Sequence, residues 1–150
     1  MKVHVHRAFR LSPERERDLL QAITRHVDCG GQCRSAGPRQ ARTLIGMSLA
    51  VDGWASNVSV LGSNLTISFM REGTAICLQL GNVARTYADM LKLQSLFAAG
   101  RIVDAVLVVP AALLSRDLGS NHASFDRTER EIGLFDKVIT VPILLVGIDD

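Results

Sequence analysis

The chain has 150 residues, 47% of them hydrophobic and 21% charged, with a net charge of +2. That length suits one domain with a sizeable core, and the balance excludes a disordered chain. No apolar run reaches the ~18 residues of a membrane span, the start MKVHVHRAF lacks the apolar centre of a signal peptide, and three cysteines are an odd number for a secreted disulfide framework, so a cytoplasmic protein without membrane contact is expected.

Val3, Val5 and Arg7 alternate with His4 and His6, which predicts a short strand with both histidines on one face. Such a pair can bind a metal, but an exposed polar strand face is the better account of it. Ser12 and Pro13 then open a helix as N-cap and first helical residue, with Leu19, Leu20, Ile23 and Val27 as its buried stripe. Arg15, Arg17 and Arg25 fall on its other faces, toward phosphates or water. His26, Cys29 and Cys33 have the spacing of part of a zinc site that lacks a fourth ligand, so a metal there is left undecided. The loop from Gly30 to Pro38 and the residues just beyond it carry Arg34, Arg39 and Arg42, the best candidates for touching a phosphate backbone. A helix is predicted from Gln40 to Val51, with Gly46 as its weak point. Residues 1–50 hold nine Lys or Arg against four Asp or Glu, whereas residues 51–150 hold eight against eleven. A basic first third suits an anionic partner or a solvated arginine-rich surface.

A different regime begins at Gly53 and Trp54. Three strands are predicted over Asn57 to Leu61, Leu65 to Phe69 and Thr74 to Leu80, joined as hairpins by Gly62-Ser63-Asn64 and Arg71-Glu72-Gly73. The turn at Gly81-Asn82 leads into a helix from Val83 to Ala98, ended by Gly100. Ile102 to Pro110 is a buried strand reached by a helical crossover, which implies a parallel or mixed sheet. A helix over Phe125 to Phe135 and a strand over Ile139 to Ile148 follow, with Pro142 predicting a sheet edge or a bulge. No P-loop, dinucleotide fingerprint or nucleophile elbow occurs, and His122 sits in a polar stretch that reads as a loop.

The segment GNxAR-xYxDxxKxQ from Gly81 to Gln94, with Val106 to Pro110 and Ser120-Asn121 to Arg127, resembles the BglII-like branch of the PD-(D/E)XK restriction endonucleases. The resemblance covers roughly residues 52–148. It implies an α/β fold with a restriction-endonuclease-like mixed sheet, antiparallel hairpins then a helix-crossover strand, flanked by helices. Residues 1–150 would form a single domain, with a basic helical part over 1–50 and the sheet core over 51–150. It also implies a DNA-binding homodimer and a Mg2+-dependent cleavage centre, in which an acid on the hairpin and a Glu-x-Gln or Glu-x-Lys on the next strand hold the cation. Aligned on Gly81-Asn82, those acidic positions fall on Ser68 and Cys77, and only Gln79 matches. Cys77 reads as a small apolar residue of a buried strand.

Two outcomes follow from the resemblance. One is a catalytically degenerate protein that binds DNA through Arg34, Arg39, Arg42, Asn82 and Arg85, serves as a binding or regulatory subunit and needs no cofactor. The other is a working Mg2+-dependent type II endonuclease with relocated acids, in which Glu72 and Asp89 join Gln79 and Lys92. A protein-interaction module without DNA binding is a further alternative. Asp89 with Lys92, and Arg85 with Asp89, also have the spacing of ordinary surface ion pairs. Asp52 and Asp104 have no evident partner.

Overall fold

The computed structural model describes residues 2–28, 38–111 and 121–149. In chain order these form β1 (Lys2–Phe9), α1 (Pro13–Val27), α2 (Pro38–Val51), β2 (Ala55–Ser59), β3 (Thr66–Arg71), β4 (Thr74–Leu78), α3 (Val83–Ala98), β5 (Asp104–Pro110), α4 (Phe125–Leu134) and β6 (Ile143–Asp149). One six-stranded mixed sheet runs β1-β6-β5-β4-β3-β2. Strands β4, β5 and β6 are mutually parallel, while β1 pairs antiparallel with β6 and the hairpins β2–β3–β4 are antiparallel.

Every residue of β4, β5 and β6 is buried. That is the environment a continuous apolar run requires, since helices cover both faces of a parallel sheet. Successive side chains alternate between two cores. Ile76, Leu78, Val106 and Val146 meet Leu19 and Ile23 of α1 and Ile45 and Leu49 of α2. Ala75, Cys77, Leu107 and Leu145 meet Met90 and Leu93 of α3 and Phe125 and Ile132 of α4. Trp54 is half-buried against the first core.

Ser12 caps α1 by accepting a hydrogen bond from the Arg15 amide at 3.2 Å, with Pro13 at the first helical turn. Gly46 lies in the middle of α2 because a methyl group there would sit 3.2 Å from the Phe69 ring, so its absence lets the helix lie close on the sheet.

Several expectations need correction. Pro142 marks neither an edge nor a bulge: it precedes β6, an interior strand, and its carbonyl accepts from the Ala105 amide at 2.9 Å. The bulge lies instead in β1, where the register slips between Val3 and Val5 and leaves His4 unpaired. Arg15 is partly exposed but its guanidinium is engaged within the protein, and Asp104 does not lack a partner. Arg15 Nε donates to Asp104 Oδ2 at 2.6 Å, and the Thr74 hydroxyl donates to the same buried carboxylate at 2.8 Å. Asp52 is likewise partnered, lying 3.3 Å from His26 Nε2 and 3.7 Å from Arg25.

Candidate functional site

The C-terminal end of β4 is where the sheet opens. The β3–β4 register ends at Phe69↔Ile76, short of Ser68. Ile67 and Phe69 are two residues apart yet pack into opposite cores, so β3 changes its facing at Ser68. Beside it, Asn57 takes a left-handed φ of 50°, which asparagine tolerates better than most residues. Irregularities of this kind re-aim side chains and commonly border sites.

Where β3 peels away, side chains supply the missing ladder bonds. The Ser68 hydroxyl accepts from the Leu78 amide at 3.0 Å, and the Arg42 guanidinium from α2 donates to the Leu78 carbonyl at 2.9 Å. An unpaired buried peptide group there would be costly, so both residues hold the end of β4 in place. The result is a cleft of about 260 Å3 between β2–β3, the end of β4 and the first turns of α3.

Gln79 and Asp89 form its floor, with only 6% and 8% of their surfaces exposed. The backbone of Gln79 still follows the sheet, its amide donating to the Val108 carbonyl at 2.9 Å. Its side-chain oxygen accepts from the Gly81 amide at 3.2 Å, and its Nε2 donates to Asp89 Oδ2 at 3.1 Å. Lys92 Nζ donates to the other oxygen, Asp89 Oδ1, at 2.9 Å. Asp89 is therefore no ordinary surface pair: it is buried, and it turns to Gln79 and Lys92 rather than to Arg85. Helical spacing puts Asp89 and Lys92 on one face of α3, and the Gly81-Asn82 turn aims that face at Gln79. The Asn82 side chain is used in the turn itself, accepting from the Ala84 amide at 2.8 Å as the cap of α3. Residues Asn121 to Ala123 brace the same turn: the Asn121 carbonyl accepts from the Val83 amide at 3.1 Å, and the Ala123 amide donates to the Gly81 carbonyl at 2.8 Å.

Arg42, Arg85, Lys92, Ser68, Gln79 and Asp89 thus share one cleft, which Asn57 and Thr66 also line. Those last two carry no motif, and only the change of strand facing reveals them. Glu72 is not brought there. It lies beyond the opposite end of β4, beside Arg71 at 3.2 Å, in a separate cleft with His26, Asp52 and Trp54. Arg34, Cys29, Cys33 and the Arg39 side chain lie outside the described residues. Cys77 is 1% exposed, and burial, reinforced by the nearby Asp89 charge, pushes its thiol well above its ordinary value. It is a neutral core side chain.

A hard divalent cation such as Mg2+ needs several oxygen ligands. The cleft supplies one carboxylate, and both of its oxygens already accept hydrogen bonds, one of them from an ammonium. The Gln79 carbonyl is turned to Gly81. This donor set does not fit Mg2+. No group of three or more His, Cys, Asp or Glu that could hold a metal occurs among the described residues.

Comparisons with known proteins agree with this architecture. The family model for restriction endonuclease BglII/BglIII matches residues 10–148. The crystal structure of BglII complexed with a DNA 16-mer superposes with a TM-score of 0.67 at 17% identity, covering 76% of this chain and 57% of that one. Free BglII superposes with a TM-score of 0.59, also at 17% identity, covering 76% and 60%. The chain therefore spans somewhat under two thirds of the length of the BglII chains it matches. A search of the curated proteins finds no match. No helix among the described residues is long and apolar enough to cross a membrane. A six-stranded mixed sheet opened at the end of β4, and a family model matching nearly its whole length, place this chain in the BglII/BglIII restriction endonuclease family.

Proposed function

We propose that this chain binds duplex DNA as a catalytically degenerate member of its family, a binding or regulatory subunit in the cytoplasm rather than a cutting enzyme. One observation carries the reading. At the two acidic positions of the motif stand Ser68, spent on the Leu78 amide, and Cys77, a buried neutral thiol, while the one carboxylate in the cleft is engaged by Gln79 and Lys92. DNA binding draws support from the cations lining the cleft, from the basic first third of the chain, and from the structural likeness to BglII held on DNA. A homodimer belongs to the same reading, because two-fold DNA sites are met by two-fold proteins. A protein partner would give a non-cutting subunit its role.

The burial of Asp89 beside Gln79 favours a second reading, in which a relocated acid restores metal-dependent cleavage. Plasmid and linear DNA incubated with purified protein in Mg2+ and separately in Mn2+, beside Asp89→Ala, decides between the two. The degenerate reading expects no cutting in either metal, with duplex binding retained by fluorescence anisotropy. Metal-dependent cutting that Asp89→Ala abolishes would establish a working endonuclease. Protein that neither cuts nor binds duplex would leave the interaction-module alternative.

A further inference from the structure

We propose that Lys92, Arg42 and Arg85 bind a DNA backbone phosphate in the cleft at the end of β4, taking the electrostatic place of a divalent cation, so that binding there is independent of metal. This inference rests on the DNA-binding reading above and names its phosphate subsite.

The charge arithmetic points that way. Three cations, Arg42, Arg85 and Lys92, line the cleft with one carboxylate, Asp89, so its charged side chains sum to +2. That is the charge a divalent ion would bring. Lys92 is the central group. Its side chain is only 18% exposed, and its ammonium is held at one point by Asp89 Oδ1. An ammonium carries three donors, so two remain for another acceptor. Asp89 in turn is fixed from its other oxygen by Gln79, which is pinned to Gly81. The chain Gly81–Gln79–Asp89–Lys92 thus sets the position of a positive charge as a ligand set would set a metal. Arg42 is fixed as well, with one nitrogen on the Leu78 carbonyl and the other 3.5 Å from the Ser68 hydroxyl, and a guanidinium has further donors to offer. Arg85 is exposed, lines the cleft and has no ion-pair partner among the described residues. Fixed cations, hydroxyl and amide donors and a single screened carboxylate make a site for a phosphodiester oxygen.

The test is fluorescence anisotropy of a labelled duplex across a salt series, once in EDTA and once in Mg2+. The wild-type chain is compared with Arg42→Gln, Lys92→Gln, Asp89→Asn and the Asp89→Asn/Lys92→Gln double variant. The double variant removes both partners of the buried pair together, so folding does not hinge on an orphaned carboxylate. Binding in EDTA is expected to be at least as tight as in Mg2+. Arg42→Gln and Lys92→Gln should each weaken binding about fivefold and lower the log–log salt slope by about one unit, whereas the double variant, which removes one charge of each sign, should bind between Lys92→Gln and Asp89→Asn. Asp89→Asn, which releases Lys92 and removes the one negative charge, should tighten it. Binding that requires Mg2+ overturns the inference, and so does wild-type affinity and slope in both Arg42→Gln and Lys92→Gln. Both of these outcomes leave the DNA-binding reading standing. No duplex binding by the wild-type chain under any condition removes both.

Discussion

Cys77 shows how a single residue changes the chemistry open to this fold. A carboxylate at the end of β4 would need a cation beside it, whereas a thiol needs only burial. Its ionisation is suppressed by desolvation, then by the Asp89 charge. Because the folded thiol titrates above its ordinary 9.0, the unfolded chain is the first to lose its proton as pH rises. Stability from this group is therefore present below about pH 9 and declines above it. Native protein treated with iodoacetamide at pH 8 should leave the Cys77 peptide unmodified by mass spectrometry, and denatured protein should label it fully. Rapid labelling of the folded chain would mean that this strand end is open to solvent. His26 has the opposite sign. Burial lowers its value despite the nearby Asp52, so the unfolded state takes up a proton first as pH falls below 6.5. Its contribution is present above that pH and fades below it. His26→Gln should flatten the fall in thermal midpoint between pH 7 and pH 5, as followed by circular dichroism. An unchanged pH profile would move the acid sensitivity to another group.

At the level of elements, the sheet depends on close approaches that glycine allows. A Cβ at Gly147 of β6 would lie 2.7 Å from Val5 of β1 and 2.9 Å from the Phe125 ring of α4. Those neighbours close the sheet edge and cap the second core, and neither can retreat cheaply. Gly147→Ala should cost about 2 kcal/mol by overpacking. Gly133 in α4 has open space around its Cβ position, so Gly133→Ala should instead gain about 0.5–1 kcal/mol from helix propensity. Urea denaturation of both variants measures the contrast, and equal effects would refute the packing argument. The neighbouring turn shows the same economy of parts. Gly81 and Asn82 are braced from the chain segment before α4, and this interplay aims α3 at Gln79.

For the whole molecule, the expected assembly is a homodimer. Light scattering coupled to sizing should give about twice the 16.3 kDa of one chain. A clean monomer at high concentration would separate this chain from the symmetric mode of DNA binding.

Much of this architecture was legible in the residues because it rests on local rules. The apolar runs of β4 and β5, the Ser12-Pro13 start of α1 and the Gly81-Asn82 turn each determine their own element. The pattern from Gly81 to Gln94 is enough to bring the family into view, and Ser68 and Cys77 can be read at the positions where the resemblance expects acids. The strand ends were less legible: β2 and β3 lie one or two residues from their expected bounds, because hairpin register depends on pairing across the sheet. Tertiary structure alone decided what the charged residues do. Asp89 and Lys92 have surface spacing on a helix, and only the angle of α3 against β4 buries them beside Gln79. Arg15 and Asp104 are distant in sequence and meet because β5 runs parallel to β4 under α1. Glu72 and Gln79 are close in sequence and lie at opposite ends of one strand. Sequence spacing determines which face of an element a side chain occupies, but the charge it meets there comes from another part of the chain, and only packing brings the two together.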